Sequence, residues 1–425
     1  MASARRARTR SCTATPARLL ACELCAQARV RDAYLRELVD ARRATTELAK
    51  ADFDFAQVLA FGVTMCSGTL DELIDRNVDS PHDIGAKLRD ALRISAYELA
   101  FLHKPEHVAV SQGVELARSV QPRAAGLANA VLRRMARDVR AFPWGDVRTD
   151  DAAFARAYGM PVWLARELRG RYGHERADAL LSACLEPAPT YLADNPFAPD
   201  EPFAADLSSQ QTAALVPLAP GTRVLELGAG RGTKTLLLEA RALESLGACV
   251  ELHAIDVHAF KAELLETRMA RCGIRDVVAH VGDGRELGAI DGLPATFDSV
   301  LVDAPCSGTG TLRRHPEIRW KLAPEDVQTL AQLQYELLCA AAGRVACGGF
   351  LVYATCSVLP AENEDVVERF CASAAGRGFE LWPVRADELL AGQDGAAITP
   401  QGCFASLPAS GGPDGHFACR LRRAG

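Results

Sequence analysis

An all-helical domain followed by an α/β domain with a mainly parallel sheet is the fold class that this 425-residue sequence predicts. Three observations carry the prediction. Between Thr15 and Val139 apolar residues recur three and four positions apart, the period of helices with one buried face. Beyond Arg223 the pattern changes to short apolar runs rich in β-formers, separated by helical stretches, as in strands covered on both faces. Between the first such run and its helix lies a glycine-rich turn, Gly228-Ala229-Gly230-Arg231-Gly232.

In chain order, residues 1–14 open with four arginines in the first ten positions and read as a disordered tail. Residues 15–140 form the helical domain, with Asp79-Ser80-Pro81 and Gln121-Pro122 as punctuation. Residues 141–206 read as a linker: two helices, VWLARELRGRYG and ERADALLSACL, then an irregular proline-rich stretch from Glu186 to Phe203. Residues 207–425 hold the α/β domain, with strands at RVLELG, VELHAID, VVAHVGD, SVLVDAP and FLVYATCS. Right-handed crossovers between parallel strands place their C-terminal ends, and so a ligand, along one edge.

A net charge of −6 hides an asymmetry: up to Pro143 there are 22 Lys+Arg against 17 Asp+Glu, a net of +5, which leaves −11 for the rest. A mildly basic module ahead of an acidic one is compatible with RNA binding. The 14 cysteines have no framework spacing, which predicts a reducing, cytoplasmic setting. Cys22-x-x-Cys25 lies in a helical run without a second ligand pair, so a metal is not expected. Leu19-Leu20-Ala21-Cys22 has the look of a lipoprotein cleavage site, but Arg18 precedes it, so export is not expected. No apolar stretch approaches the roughly 18 residues of a membrane span.

The turn Glu226-Leu-Gly228-Ala229-Gly230-Arg231-Gly232-Thr233-Lys234-Thr235 brings backbone and a helix N-terminus toward a ligand. Alone it fits a dinucleotide, a nucleotide, S-adenosylmethionine or no ligand at all. Asp256 ends the second strand, where an acid accepts from ribose hydroxyls, and Asp283 ends the third, within reach of an adenine amine. Either Asp alone is as well explained as a helix cap. The series after successive strands suits S-adenosylmethionine. Lys234 either orients this turn or the Cys356 region, or caps a helix end.

Two cysteines each follow an apolar run and open a polar turn: Cys306 in DAPCSGTG and Cys356 in YATCS. Each alone reads as a small buried residue; the pair beside a cofactor turn suits methylation of cytosine carbon-5. A thiolate adding to carbon-6 makes the ring enamine-like, and a base then removes the C5 proton so that the thiolate can leave. An acid at N3, a natural task for Asp303, stabilises the charge that develops.

DAPCSGTGTL with RRHPEIRWK after it, YATCSVLPAENEDV, the turn from Val224 to Thr235 and GPDGHFACR near the end resemble the Sun-type (RsmB-like) RNA cytosine-5 methyltransferases. The helical region resembles a NusB-type RNA-binding domain. The resemblance implies a Rossmann-like class I methyltransferase domain with a mainly parallel seven-stranded sheet, S-adenosylmethionine as cofactor and ribosomal RNA, 16S in particular, as partner. It implies Cys356 as nucleophile and Cys306 as the residue that assists release, roles that a DNA enzyme would exchange. The family turn, close to DLCAAPGGKT, is altered: Glu226 replaces Asp, Gly228 replaces Cys, and Arg231-Gly232-Thr233 replaces Pro-Gly-Gly. The segment between Asn195-Pro196 and Leu207 is short for the family. These departures motivate two other readings, an RNA-binding assembly factor with a decayed enzyme domain, and the same chemistry on tRNA or 23S RNA. His315 and Arg319 read as phosphate contacts or as a solvated loop.

Overall fold

The computed structural model describes residues 13–393 and 397–425, so the expected tail over residues 1–14 lies outside the described residues but for its last two. The chain divides into two units. One takes in the chain up to Ala177 together with Arg313–Lys321; the other comprises Asp178–Leu312 and Leu322–Gly425.

The first unit is helical: α1 (Pro16–Arg31), α2 (Leu35–Arg43), α3 (Lys50–Met65), α4 (Ser67–Asp75), α5 (Ala86–Ala100), α6 (Glu106–Val120), α7 (Ala125–Asp138) and α8 (Asp151–Ala157). Proline opens α1, where its missing N–H has no helical partner to lose. The periodic apolar residues form the core, with Leu20 and Leu24 of α1, Leu59 and Val63 of α3, and Leu92 and Leu99 of α5 all buried. Inside that core the Arg18 guanidinium of α1 donates to both oxygens of Glu98 of α5, at 3.0 and 2.5 Å. Such a fork satisfies two charges that burial would otherwise penalise. The two helices expected after Pro161 are present: the span α9 (Val162–Ala183) is two helices that meet at Gly173, whose φ 76° and ψ 166° are not helical.

In the second unit, β1 (Leu192–Ala193) pairs antiparallel with β2 (Phe203–Ala204), so the stretch expected to be irregular contains a short ladder. Then follow α10 (Leu207–Ala214), β3 (Arg223–Leu227), α11 (Thr233–Leu246), β4 (Glu251–Asp256), α12 (Ala259–Arg271), β5 (Val277–Val281) and β6 (Phe297–Asp303). After the short α13 (Ile318–Lys321) come α14 (Pro324–Ala342), β7 (Val345–Thr355), α15 (Glu364–Ala372), β8 (Phe379–Leu381), β9 (Phe404–Ser406) and β10 (His416–Arg423). The sheet runs β5-β4-β3-β6-β7-β10-β8, with β9 also paired to β10. From β5 to β7 every pairing is parallel, and β10 enters antiparallel. Alternate residues of these strands bury in opposite layers. Val224, Ala254, Leu301, Val352 and Ala354 meet Leu236 and Leu238 of α11 and Leu265 of α12. Leu225, Val300, Val302, Leu351 and Tyr353 meet Leu338 of α14 and Phe370 of α15. The chain order reverses between β3 and β6, which opens a crevice at the strands' C-terminal ends.

The polar segment after DAPCSGTGTL belongs to the helical unit. Arg319 is fully buried there, and its Nη1 donates to the carbonyls of Tyr158 and Gly159 at 2.9 and 3.4 Å. Trp320 Nε1 donates to the Met65 carbonyl at 2.8 Å, and the His315 ring meets Tyr34 edge-on at 5.5 Å. Phosphate contact and a solvated loop are both corrected for Arg319: its donors are used on helix-end carbonyls. Arg319→Met keeps the bulk and strips the donors, leaving buried carbonyls unpaired. Urea unfolding followed by circular dichroism is expected to show a loss of about 2 to 4 kcal/mol.

Candidate active site

The glycine turn begins where β3 ends. Gly228 has φ +78°, and a Cβ there would lie 2.1 Å from the Asp303 carbonyl oxygen, so both the dihedral and the closeness of β6 require glycine. The Gly228 and Ala229 N–H groups donate to the Ile255 carbonyl at 2.9 and 3.1 Å, which ties the turn to the end of β4. Asp256 is mostly buried and tightens the tie, accepting from Gly230 N–H at 3.1 Å and His258 N–H at 2.9 Å. Asp283 accepts from the Arg285 backbone N–H at 2.9 Å and is clasped by the Arg285 guanidinium at 2.6 to 3.1 Å. Side-chain and backbone bonds from Arg285 hold the Asp283 carboxyl below the ordinary value. Both acids thus have structural partners, and their remaining lone pairs are what a ligand would meet. Arg231 is exposed and Thr233 opens α11.

Lys234 reaches from α11 to the end of β6, where Nζ lies 2.7 Å from Asp303 Oδ2. Burial works against this ammonium, but Asp303 by charge and hydrogen bond, then Cys356 and Glu226, outweigh it and raise its pKa above the lysine norm. Of the roles open to Lys234, the structure shows contact with Asp303. Glu226 is fully buried beneath the pair; Thr235 Oγ1 donates to its Oε2 at 2.6 Å, and its Oε1 has no partner. Burial pushes this carboxyl up to about 8, against the Thr235 bond and with help from the Asp303 charge.

Beyond the ends of β6 and β7 the two candidate cysteines meet. Their sulfurs are 3.3 Å apart and both side chains are partly exposed. The Cys306 thiol is pushed well above its ordinary value by the hydrogen bond to Cys356, by burial, and by the charges of Cys356 and Glu362. Two further groups escaped the reading of motifs. Glu362, within YATCSVLPAENEDV, lies buried behind both cysteine turns. His416 opens β10, one position past the Phe417–Thr355 pair and so beside Cys356. Its Nδ1 is buried without a partner, and burial and the Lys234 charge push the imidazole down to about 4, which leaves it neutral.

The family model of RsmB/F 16S rRNA methyltransferases matches residues 213–422, and that of the NusB family matches residues 15–137. Ribosomal RNA small subunit methyltransferase B of Salmonella paratyphi B is 30% identical over 370 residues, covering 76% of this chain and 83% of the relative. Its namesake from Thermus thermophilus is 31% identical over 392 residues, covering 88% and 89%. This chain belongs to the RsmB/F family. The solved structure of PH0851 matches with a TM-score of 0.72 at 20% identity, over 96% of this chain and 99% of that one, which shows the shared fold.

As a member of the RsmB/F family the chain is an S-adenosylmethionine-dependent RNA methyltransferase with a NusB domain. Its own residues fit that cofactor. Gly228 is exposed between buried neighbours, Glu226 Oε1 is buried with a free bonding site, and Asp256 stands at the end of the second strand. The altered turn therefore still forms a cradle, with Arg231 exposed.

Gly228→Ala is expected to weaken S-adenosylmethionine binding at least about tenfold in titration calorimetry, because the new methyl collides with backbone rather than a yielding side chain. Glu226 also ties stability to pH. The unfolded chain releases this proton near 4.5 and the folded one near 8, so the native state binds the extra proton between those values. The contribution is complete below 4.5 and is lost as pH rises through 8, at up to about 1.4 kcal/mol per unit. Glu226→Gln stays neutral, so its unfolding free energy should fall less steeply from pH 5 to 8 than that of the parent; parallel slopes would refute the assignment.

Proposed function

We propose that this enzyme methylates carbon-5 of a cytosine in ribosomal RNA, the small-subunit 16S RNA in particular, through a bond between Cys356 and carbon-6, with Cys306 assisting release. One observation carries the reading: two sulfurs 3.3 Å apart on the turns after neighbouring strands β6 and β7, at the sheet edge that also holds the Lys234–Asp303 pair. Cytosine carbon-5 is a weak nucleophile until a thiolate at carbon-6 pushes the C5=C6 electron pair toward it. When bound, S-adenosylmethionine supplies an electrophilic methyl group.

The chain's own groups divide the remaining work. Cys356 supplies the thiolate that adds to carbon-6, and its charge is one of those that raise the pKa of the Lys234 ammonium. Asp303, hydrogen-bonded to the Lys234 ammonium, faces N3, and a proton passed from that pair to N3 neutralises the charge that addition builds on the ring, returning when the adduct breaks down. After transfer carbon-5 gives a proton to a base; its C–H pair re-forms C5=C6, the C6–S bond breaks, and that pair returns to Cys356. Cys306, kept protonated by its neighbours, offers a hydrogen to the departing sulfur.

Among the described residues no single helix is long and apolar enough to cross a membrane, and a cytoplasmic setting accords with ribosomal RNA as substrate. Cys356→Ala is expected to abolish both methyl transfer and the covalent RNA adduct, whereas Cys306→Ala accumulates an adduct that survives denaturing electrophoresis. An adduct on Cys356→Ala protein would exchange the two roles. Bisulfite sequencing of RNA from a deletion strain is expected to show one 5-methylcytosine lost from small-subunit RNA. Loss from transfer or large-subunit RNA instead would redirect the substrate.

A further inference from the structure

The strongest feature left unused by this chemistry is the carboxylate of Glu362. It is fully buried and takes hydrogen bonds from both cysteine turns. Oε1 accepts from the Ser307 backbone N–H at 2.7 Å and from Gln334 Nε2 at 3.0 Å. Oε2 accepts from Ser307 Oγ and Ser357 Oγ, both at 2.5 Å. Ser307 follows Cys306 and Ser357 follows Cys356 in the chain. One anion thus grips the residue next to each sulfur.

Its surroundings brace the same two turns. Gln334 Nε2 also donates to the Pro305 carbonyl at 2.9 Å, just ahead of Cys306. The Tyr353 hydroxyl donates to Gln334 Oε1 at 3.1 Å and to the Glu362 carbonyl at 2.5 Å. Asn363 Nδ2 donates to the Ser357 carbonyl at 2.9 Å. Charge-assisted bonds of this kind are stronger than neutral ones, and a fully satisfied buried network holds one geometry.

We propose that Glu362 is a positioning residue: it holds the Cys306 and Cys356 turns in register so that both sulfurs address the same ring. The proposal rests on the two-cysteine reading above, and it goes beyond that reading by naming what sets the sulfur spacing. Its charge also bears on Cys306, since it counts among the causes that keep that thiol protonated. A gap of about 1 Å between reacting groups costs on the order of 100-fold in rate, so the spacing is worth a dedicated anion.

The test uses the full chain and two readouts. The first is the rate at which diamide, itself reduced to the hydrazine, links Cys306 to Cys356, followed by peptide mapping; it needs no RNA and no turnover. The second is kcat and KM for methyl transfer to a small-subunit rRNA transcript. Glu362→Ala is expected to slow the linkage at least about tenfold and to lower kcat about 100-fold, with KM for RNA within about twofold. Glu362→Gln, which keeps the shape and can still accept from Ser307 N–H, should recover most of both. If Glu362→Ala fails to fold, the double variant Ser307→Ala with Ser357→Ala removes the two hydroxyl ties to Oε2 while leaving the carboxylate and its Ser307 N–H and Gln334 bonds, and a slowing of the same sign but smaller size is expected. A parent-like linkage rate in folded protein overturns the proposal, whatever happens to kcat. Slowed linkage with unchanged kcat instead upholds the positioning and defeats the two-cysteine mechanism.

Discussion

The parallel pairing of β6 with β7 sets Asp303 opposite Ala354, and the site depends on that register. Strand residues alternate between faces, so a slip of one position would turn Asp303 from the layer of Leu301 and Ala354 to that of Val302 and Tyr353, away from Lys234 on α11. With the register held, both strands end at one edge and their cysteine turns emerge side by side. The tie continues past the sheet: Gly310 N–H donates to the Cys356 carbonyl at 2.9 Å, and Gly415 N–H donates to the Gly310 carbonyl at 2.9 Å. A Cβ on Gly310 would lie 2.0 Å from the Gly415 oxygen, so the three backbones close only around glycine.

Charge is distributed around this frame by the supply of donors. Glu226 has one hydroxyl and one empty oxygen, so burial pushes it up to about 8 and it stays mostly uncharged at neutral pH. Asp303 then faces the Lys234 ammonium without a fully charged Glu226 beneath it. Glu362, by contrast, has four donors on its two buried oxygens. The Glu362 charge is among the causes that raise the Cys306 thiol, after its bond to Cys356 and its burial.

Local pattern revealed what depends on local pattern. Helix periodicity, apolar strands, the glycine turn and the candidate residues Asp303, Cys306 and Cys356 all rest on residues near in sequence. The clasp of Arg285 on Asp283 is equally local, two positions away, yet Asp283 reads from the sequence as a ligand contact or a helix cap and not as half of an ion pair. Arg319 was not legible either: in RRHPEIRWK it reads as a surface cation, and the carbonyls that bury it lie 161 and 160 positions away. Glu362 reads as an acid at the start of a helix, while its donors come from Ser307 and Gln334, 55 and 28 positions away. Composition alone cannot separate such a residue from a solvated helix cap.

The altered cofactor turn is best understood as one coupled change. On this backbone a side chain at position 228 would strike the Asp303 carbonyl, so the family's cysteine has no room and the turn lies directly against the end of β6. The acid beneath it is one methylene longer than the family's aspartate, and it reaches the Thr235 hydroxyl in the first turn of α11. Strand, turn and helix are thereby linked through Glu226, while Lys234 links the same helix to Asp303. A mostly neutral Glu226 leaves the Lys234 ammonium to Asp303, with which it is hydrogen-bonded. A side chain restored at position 228 alone would meet the Asp303 carbonyl, so the glycine there is tied to the closeness of β6.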